Sequence, residues 1–249
     1  MKCNNNFGVI QVLKQSFLFL KQEFRELMRI SFLWFFVSTA SLVLSGNQSI
    51  FKQSDSTNWL ILFLVICQLV TSVAFSVQWL QFVLSKKRKE NILEINFGDK
   101  ELRYLGYSLC LTFIMVVSFG AFYYLVTSIN RFVPEGLNSA FTICSTIGLC
   151  IGLFYAYIRL SLFSIGIAKD LHNPINFSLK RTEGAILKIG AAYILLILIV
   201  SLIAGSIIFL GGILGETSNK FLLAIVQVMF GSLGLTLAAN IVLMQEKQS

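Results

Sequence analysis

The chain has 249 residues, of which 56% are apolar and only 13% charged, with a mean hydropathy of +0.77 and a net charge of +8. Soluble domains carry about 25% charged residues, so this composition excludes an ordinary water-soluble globule. The positive charge does not mark a nucleic-acid reader either, because Lys and Arg sit in short segments between apolar runs and form no basic stripe interleaved with aromatics.

The chain opens on a mixed-charge arm containing Lys14, Lys21, Glu23, Arg25, Glu26 and Arg29. That arm is too long and too mixed in charge for a cleaved signal peptide. Within it Ile10, Leu13, Phe17, Leu20, Phe24 and Leu27 recur every three to four residues, with Gln11, Lys14, Gln15, Lys21, Gln22 and Arg25 opposite. The pattern predicts an amphipathic helix at a membrane interface.

A hydrocarbon core about 30 Å thick needs about 20 apolar residues in a helix. Six runs meet or approach that length: Ile30–Ser45, Trp59–Leu84, Tyr104–Ile129, Leu137–Ala168, Ile189–Leu214 and Phe221–Met244. The first is short, and the residues before it can supply another turn. Connectors between runs are too short for a separate domain, so residues 1–249 read as one all-α, polytopic membrane domain with cytoplasmic amphipathic helices. Basic residues concentrate in the N-terminal arm (Lys2, Lys14, Lys21, Arg25, Arg29), after the second run (Lys86, Lys87, Arg88, Lys89, Lys100, Arg103), after the fourth (Lys169, Lys180, Arg181, Lys188) and at Lys247. The opposite side holds Lys52, Arg131 and Lys220. Positive residues stay inside, so both termini are expected in the cytoplasm.

The connector after the fourth run predicts a short helix, with Asn173 as N-cap, Pro174 at the first helical position, and Ile175, Leu179, Ile186 and Ile189 on one face. Asn6-Phe7-Gly8, Asn96-Phe97-Gly98 and Asn176-Phe177-Ser178 occur once in each cytoplasmic segment. They suggest three units of interfacial helix, span out and span back.

Several short stretches carry a family resemblance. Tyr157-Ile158-Arg159-Leu160-Ser161-Leu162 is followed by Asn173-Pro174 and by Ser178-Leu179-Lys180-Arg181-Thr182-Glu183-Gly184. Trp79-Leu80-Gln81-Phe82-Val83-Leu84 and Glu101-Leu102-Arg103-Tyr104-Leu105 are the matching pieces after the second run. Together they resemble a group of uncharacterised six-span proteobacterial inner-membrane proteins, which in turn resemble the membrane domain of some glycerophosphodiester phosphodiesterases. The chain departs where that group often has a proline, since Ser164 and Ile165 stand after Arg159. The catalytic domain of those phosphodiesterases has no counterpart in these residues, so the resemblance implies architecture and no hydrolase activity.

Arg159 is the one charged residue deep in an apolar run. Counted from Gly136 it lies about 34 Å along the helix, at the cytoplasmic boundary, whereas counted back from Lys169 it lies roughly 15 Å in, near the midplane. It either snorkels to headgroup phosphates or, with Lys180 and Arg181, contacts an anion or lipid headgroup in the bundle. Ala140, Cys144, Gly148, Gly152 and Ala156 recur every four residues and predict close packing of the fourth helix on a neighbour, with a dimer interface as the lesser reading. Gly211-xxx-Gly215 is a weaker version. Gln68, Gln78, Gln81, Gln227 and Asn240 are the other polar groups expected to bond across helices.

Cys67, Cys110, Cys144 and Cys150 lie in apolar runs, and none of the five cysteines forms a metal-ligand or disulfide spacing. They read as buried, reduced thiols. His172, the single histidine, reads as a solvated loop residue, and no cofactor, metal or catalytic set is expected. The leading functional expectation is a non-enzymatic membrane protein whose basic cytoplasmic face contacts anionic membrane lipids or a partner, and not nucleic acid. The alternative is a small-solute transporter or channel.

Overall fold

The chain is described from a computed structural model at residues 7–46, 56–86, 98–130, 138–214 and 216–247. These residues form helices, with no strand among them: α1 (Val9–Gln22), α2 (Phe24–Gly46), α3 (Ser56–Ser85), α4 (Asp99–Asn130), α5 (Asn138–Leu160), α6 (Phe163–Ala168), α7 (Pro174–Thr182), α8 (Ile186–Leu214) and α9 (Glu216–Lys247). Apolar runs of this length take the helical form because lipid offers no partner to a free backbone N–H or C=O. Six stretches are long and apolar enough to cross a membrane: Phe24–Val43, Leu62–Ser85, Asp99–Ile129, Ser139–Ala168, Ile186–Phe209 and Lys220–Lys247. The first begins six residues before the expected Ile30, so the arm does supply the missing turns.

The six spans are unequally packed. α9 lies at the centre against α8, α2, α1 and α3, with 39% of its span window buried. Its sequence Gly231-Ser232-Leu233-Gly234-Leu235-Thr236-Leu237-Ala238-Ala239 explains the position, because small residues let several helices approach at once. A Cβ on Gly231 would come within 2.9 Å of Trp34 Cη2, so the indole from α2 lies over this glycine. Trp34 stacks on Phe75 at 4.8 Å. Phe75 in turn adjoins Trp79, which is fully buried and donates through Nε1 to Thr236 Oγ1 at 2.9 Å.

The α4 and α5 spans are only 6% buried. α4 packs on α3, α5 and α6, and α5 on α4, α7 and α8. Phe113, Val116, Tyr124 and Ile151 on this pair stand exposed, the faces a bilayer would cover.

α1 is amphipathic as expected, but it does not lie free. Val12, Leu13, Ser16 and Leu20 are buried against α9 and α8, and Asn240 Nδ2 donates to Ser16 Oγ at 3.0 Å. The buried stripe is rotated from the expected one, leaving Ile10 77% exposed, because Ser16 must face Asn240. Lys14 and Lys21 remain exposed on the other side, as does Arg25 at the start of α2.

The described residues of the Asn-Phe motif do not fall at equivalent helix positions, although α1 precedes α2 and α3 as α7 precedes α8 and α9. Gly8 precedes α1 as its N-cap and Gly98 directly precedes α4, whose Glu101 Oε2 accepts from the Gly98 N–H, but Phe177-Ser178 lies inside α7. Asn6, Asn96 and Phe97, the Lys87–Lys89 run, Lys52, Arg131 and Gly215 fall outside the described residues.

Candidate functional site

The fourth apolar run is not one helix. α5 ends at Leu160, a turn at Ser161-Leu162 follows, and α6 resumes at Phe163. A broken helix frees backbone groups that need partners. Here Ser178 of α7 supplies them: its Oγ donates to the Arg159 carbonyl at 2.7 Å and accepts from the Leu162 N–H at 3.1 Å. One inserted hydroxyl thus bridges the break.

The break decides the position of Arg159. It is the penultimate residue of α5, about 30 Å along the helix from Ser139. Its guanidinium is not free to reach lipid through Nη1, which donates to Leu179 O at 2.9 Å and Thr182 Oγ1 at 3.3 Å. Those acceptors belong to the C-terminal turn of α7, where carbonyls lack helical partners and a cation is favoured by the helix dipole. α7 begins as expected, with Asn173 Oδ1 accepting from the Asn176 N–H at 3.0 Å and Pro174 following, and it is succeeded by Gly184 in the left-handed region at φ 73°.

Four further cations, on two carboxylates, fasten the same end. α6 closes in a Schellman motif: the Leu171 N–H donates to Gly166 O and the Asp170 N–H to Ile167 O, both at 2.9 Å. Asp170 takes the left-handed position at φ 58°, where glycine is usual. Its carboxylate pairs with Arg103 at 3.0 Å and Lys100 at 3.6 Å from the start of α4, and Arg103 Nη2 also donates to Leu171 O at 2.7 Å. Across the bundle, Glu246 near the end of α9 receives Lys169 at 2.6 Å and Arg181 at 3.4 Å. Arg181 lies over the Phe177 ring, and its backbone carbonyl accepts from Gln245 Nε2 at 3.0 Å. Of the three expected anion contacts, Arg159 and Arg181 are therefore engaged by protein groups, and Lys180 stands exposed.

Behind this end lies a half-enclosed cavity of about 630 Å³ between the α4–α5 pair and α2, α3, α8 and α9. Tyr104, Tyr157, Ser161 and Tyr193 line its inner part, and Leu111, Met115, Phe230 and Gly231 its outer part. Tyr157 and Tyr193 meet edge to face at 5.7 Å, and Tyr104 stacks on Phe163 at 5.7 Å. Trp34, 7% exposed, also lines the cavity, and its Nε1 has no partner among the described residues.

The small-residue ridge does not pack as expected. Ala140, Cys144, Gly148 and Gly152 are exposed and Ala156 is half-buried, and a Cβ on Gly148 or Gly152 would meet nothing within 4 Å among the described residues. Period-four small residues identify a face without saying whether it meets a helix or lipid, and the α9 run that does the packing has no such simple period. Cys110, Cys144 and Cys150 are likewise exposed, and Cys67 is half-buried, so the thiols are not core residues. Gln68, Gln78, Gln81 and Gln227 do not line the cavity, Gln227 is exposed, and Asn240 bonds α1 instead. His172 is exposed, and no group of three His, Cys, Asp or Glu side chains gathers as a metal site among the described residues. Tyr104, Tyr157 and Tyr193 were missed because a tyrosine in an apolar run reads as an interface anchor, and only the tertiary fold brings these three together. The chain matches no family model, no curated protein and no solved structure.

Proposed function

We propose that this is a non-enzymatic, six-span protein of a bacterial inner membrane, with both termini in the cytoplasm, whose basic end rests on anionic lipid headgroups. The observation that carries the reading is the division of labour among its cations. Arg103, Arg159, Arg181 and Lys169 are engaged within the fold, while Lys14 and Lys21 on the outer face of α1, Arg25 at the start of α2 and Lys180 on α7 are exposed at the same end. Basic residues near an anionic leaflet contribute about 1 kcal/mol each. The concentration of Lys and Arg in alternate connectors supports the orientation, and the resemblance of the Arg159–Gly184 segment to six-span proteobacterial proteins supports the choice of membrane. The separation of Gln68, Gln81 and Gln227 from the cavity favours this reading over a solute path.

Reporter fusions at residue 249 and in the Lys86–Lys89 segment test the orientation, and both should read cytoplasm. Native mass spectrometry of the chain from mixed anionic and neutral lipid tests the contact. Anionic lipid should be retained preferentially and lost with added salt or in a Lys14→Gln, Lys21→Gln, Arg25→Gln variant. Equal retention of both lipids, or a triple variant indistinguishable from wild type, would overturn it.

A further inference from the structure

We infer that the cavity between the α4–α5 pair and the bundle is a binding site for one neutral, single-chain amphiphile, its hydroxyl or carbonyl head at the tyrosine cluster and its hydrocarbon chain directed toward the membrane interior. The occupant differs from the lipid of the proposed function in place and charge, so either reading can fail alone.

The lining is graded along the bundle axis. Tyr104 is five residues from the start of α4, Tyr157 three from the end of α5, and Tyr193 seven from the start of α8. Ser161 and Ser164 lie in or beside the α5–α6 break. Ser76 is nine residues from the end of α3 and Ser108 nine from the start of α4, so seven of the eight lining hydroxyls sit toward the basic end, with Thr112 one turn above them. Met115 and Val116 lie sixteen and seventeen residues into α4, and Phe230 and Gly231 are a similar distance from the end of α9, with no hydroxyl among them. The site thus has a polar floor and an apolar upper wall, the distribution of an amphiphile lying parallel to the helices.

The lining also fixes the charge. It contains no Lys, Arg, His, Asp or Glu, and the two arginines that adjoin it in sequence are committed elsewhere, Arg103 to Asp170 and Leu171 O and Arg159 Nη1 to α7. A buried ionised head would have no counter-charge, whereas hydroxyls donate to and accept from a neutral head. At about 30 Å³ per heavy group, the liquid volume share of a water, 630 Å³ holds roughly 20 non-hydrogen atoms. That is one long chain with a small head. A whole two-chain phospholipid, with its second chain and phosphate head, exceeds that volume. Entry is lateral, between helices whose span windows are only 6% buried and which expose apolar side chains to the bilayer.

The test uses the full chain in detergent with a diazirine-bearing long-chain alcohol, its carboxylic-acid counterpart, and competition by the unlabelled alcohol. Labelling should map to lining residues such as Met115 and Phe230, saturate at one per chain, and be at least tenfold weaker for the acid. Gly234→Leu provides the blocking variant, because a Cβ there meets nothing within 4 Å and the longer side chain occupies the cavity without displacing a neighbour. It should keep the wild-type melting temperature and lose labelling, while Gly148→Leu on the outer face of α5 should label as wild type. Tyr193→Phe should weaken binding by roughly two- to tenfold with its fold intact. The proposal is overturned if Gly234→Leu labels like wild type, if acid and alcohol bind alike, or if labelling is non-saturable and confined to the outer faces of α4 and α5.

Discussion

Replacing Arg159 separates a fastener from a lipid contact. In the structure Nη1 donates to Leu179 O and Thr182 Oγ1. Hydrogen bonds to a charged donor are worth about 1.5–3 kcal/mol each, and a cation on a helix C-terminus adds about 0.3–1 kcal/mol. Thr182 Oγ1 keeps its own bond to Ser178 O at 2.9 Å, so the second contact is discounted. Arg159→Ala should then cost about 2–4 kcal/mol, and at about 2–4 °C per kcal/mol for a chain of this size the melting temperature in detergent should fall roughly 5–15 °C. Arg159→Lys can reach one acceptor but not both, because an ammonium lacks the planar fork. It should therefore lose about half as much. Neither variant should change anionic-lipid retention. A double-mutant cycle with Thr182→Val locates the effect, since residues in contact couple by about 0.5 kcal/mol or more. An Arg159→Ala protein that melts with wild type but sheds anionic lipid would refute this reasoning and restore the snorkelling reading.

The other predictions concern packing and the ion pairs. Gly231→Leu should destabilise by about 1–3 kcal/mol, because its Cβ already approaches Trp34 at 2.9 Å, whereas Gly148→Leu and Gly152→Leu should melt within error of wild type at a dilution that keeps the chain monomeric. Trp79→Phe should cost about 1–2 kcal/mol through the lost bond to Thr236, read by thermal unfolding, and Trp79→Leu should cost more. Glu246→Gln removes the shared partner of Lys169 and Arg181. With these groups a fifth to a third exposed, about 1 kcal/mol is expected, shrinking with added salt.

The spans were legible because membrane insertion is decided by local composition, which a sequence displays directly. The α7 start was legible for a similar reason: the capping of Asn173 and the fixed φ of Pro174 act within one turn. The break after Arg159 was not, because the group that stabilises it is Ser178, which comes from another helix. The two readings of Arg159 came from counting one unbroken run from either end, and the break makes Arg159 the penultimate residue of α5.

The misreading of α5 has the same origin. In water, apolar periodicity identifies the face that meets the core, but in lipid both faces of a helix can be apolar, and smallness alone does not say which one meets protein. Long-range complementarity resolves it: Trp34 needs a glycine at its ring edge and Trp79 an acceptor at its Nε1, and α9 offers Gly231 and Thr236 five residues apart. Those two demands place α9 in the middle. With α1, α2, α3 and α8 packed against it, α4 and α5 are left to fasten at the basic end through Arg103 and Arg159. A pair held at one end and loosely packed above it leaves a gap between itself and the bundle. The cavity is therefore a consequence of Arg159, which the sequence singled out, and of Arg103, which it did not, acting on the fold before any ligand.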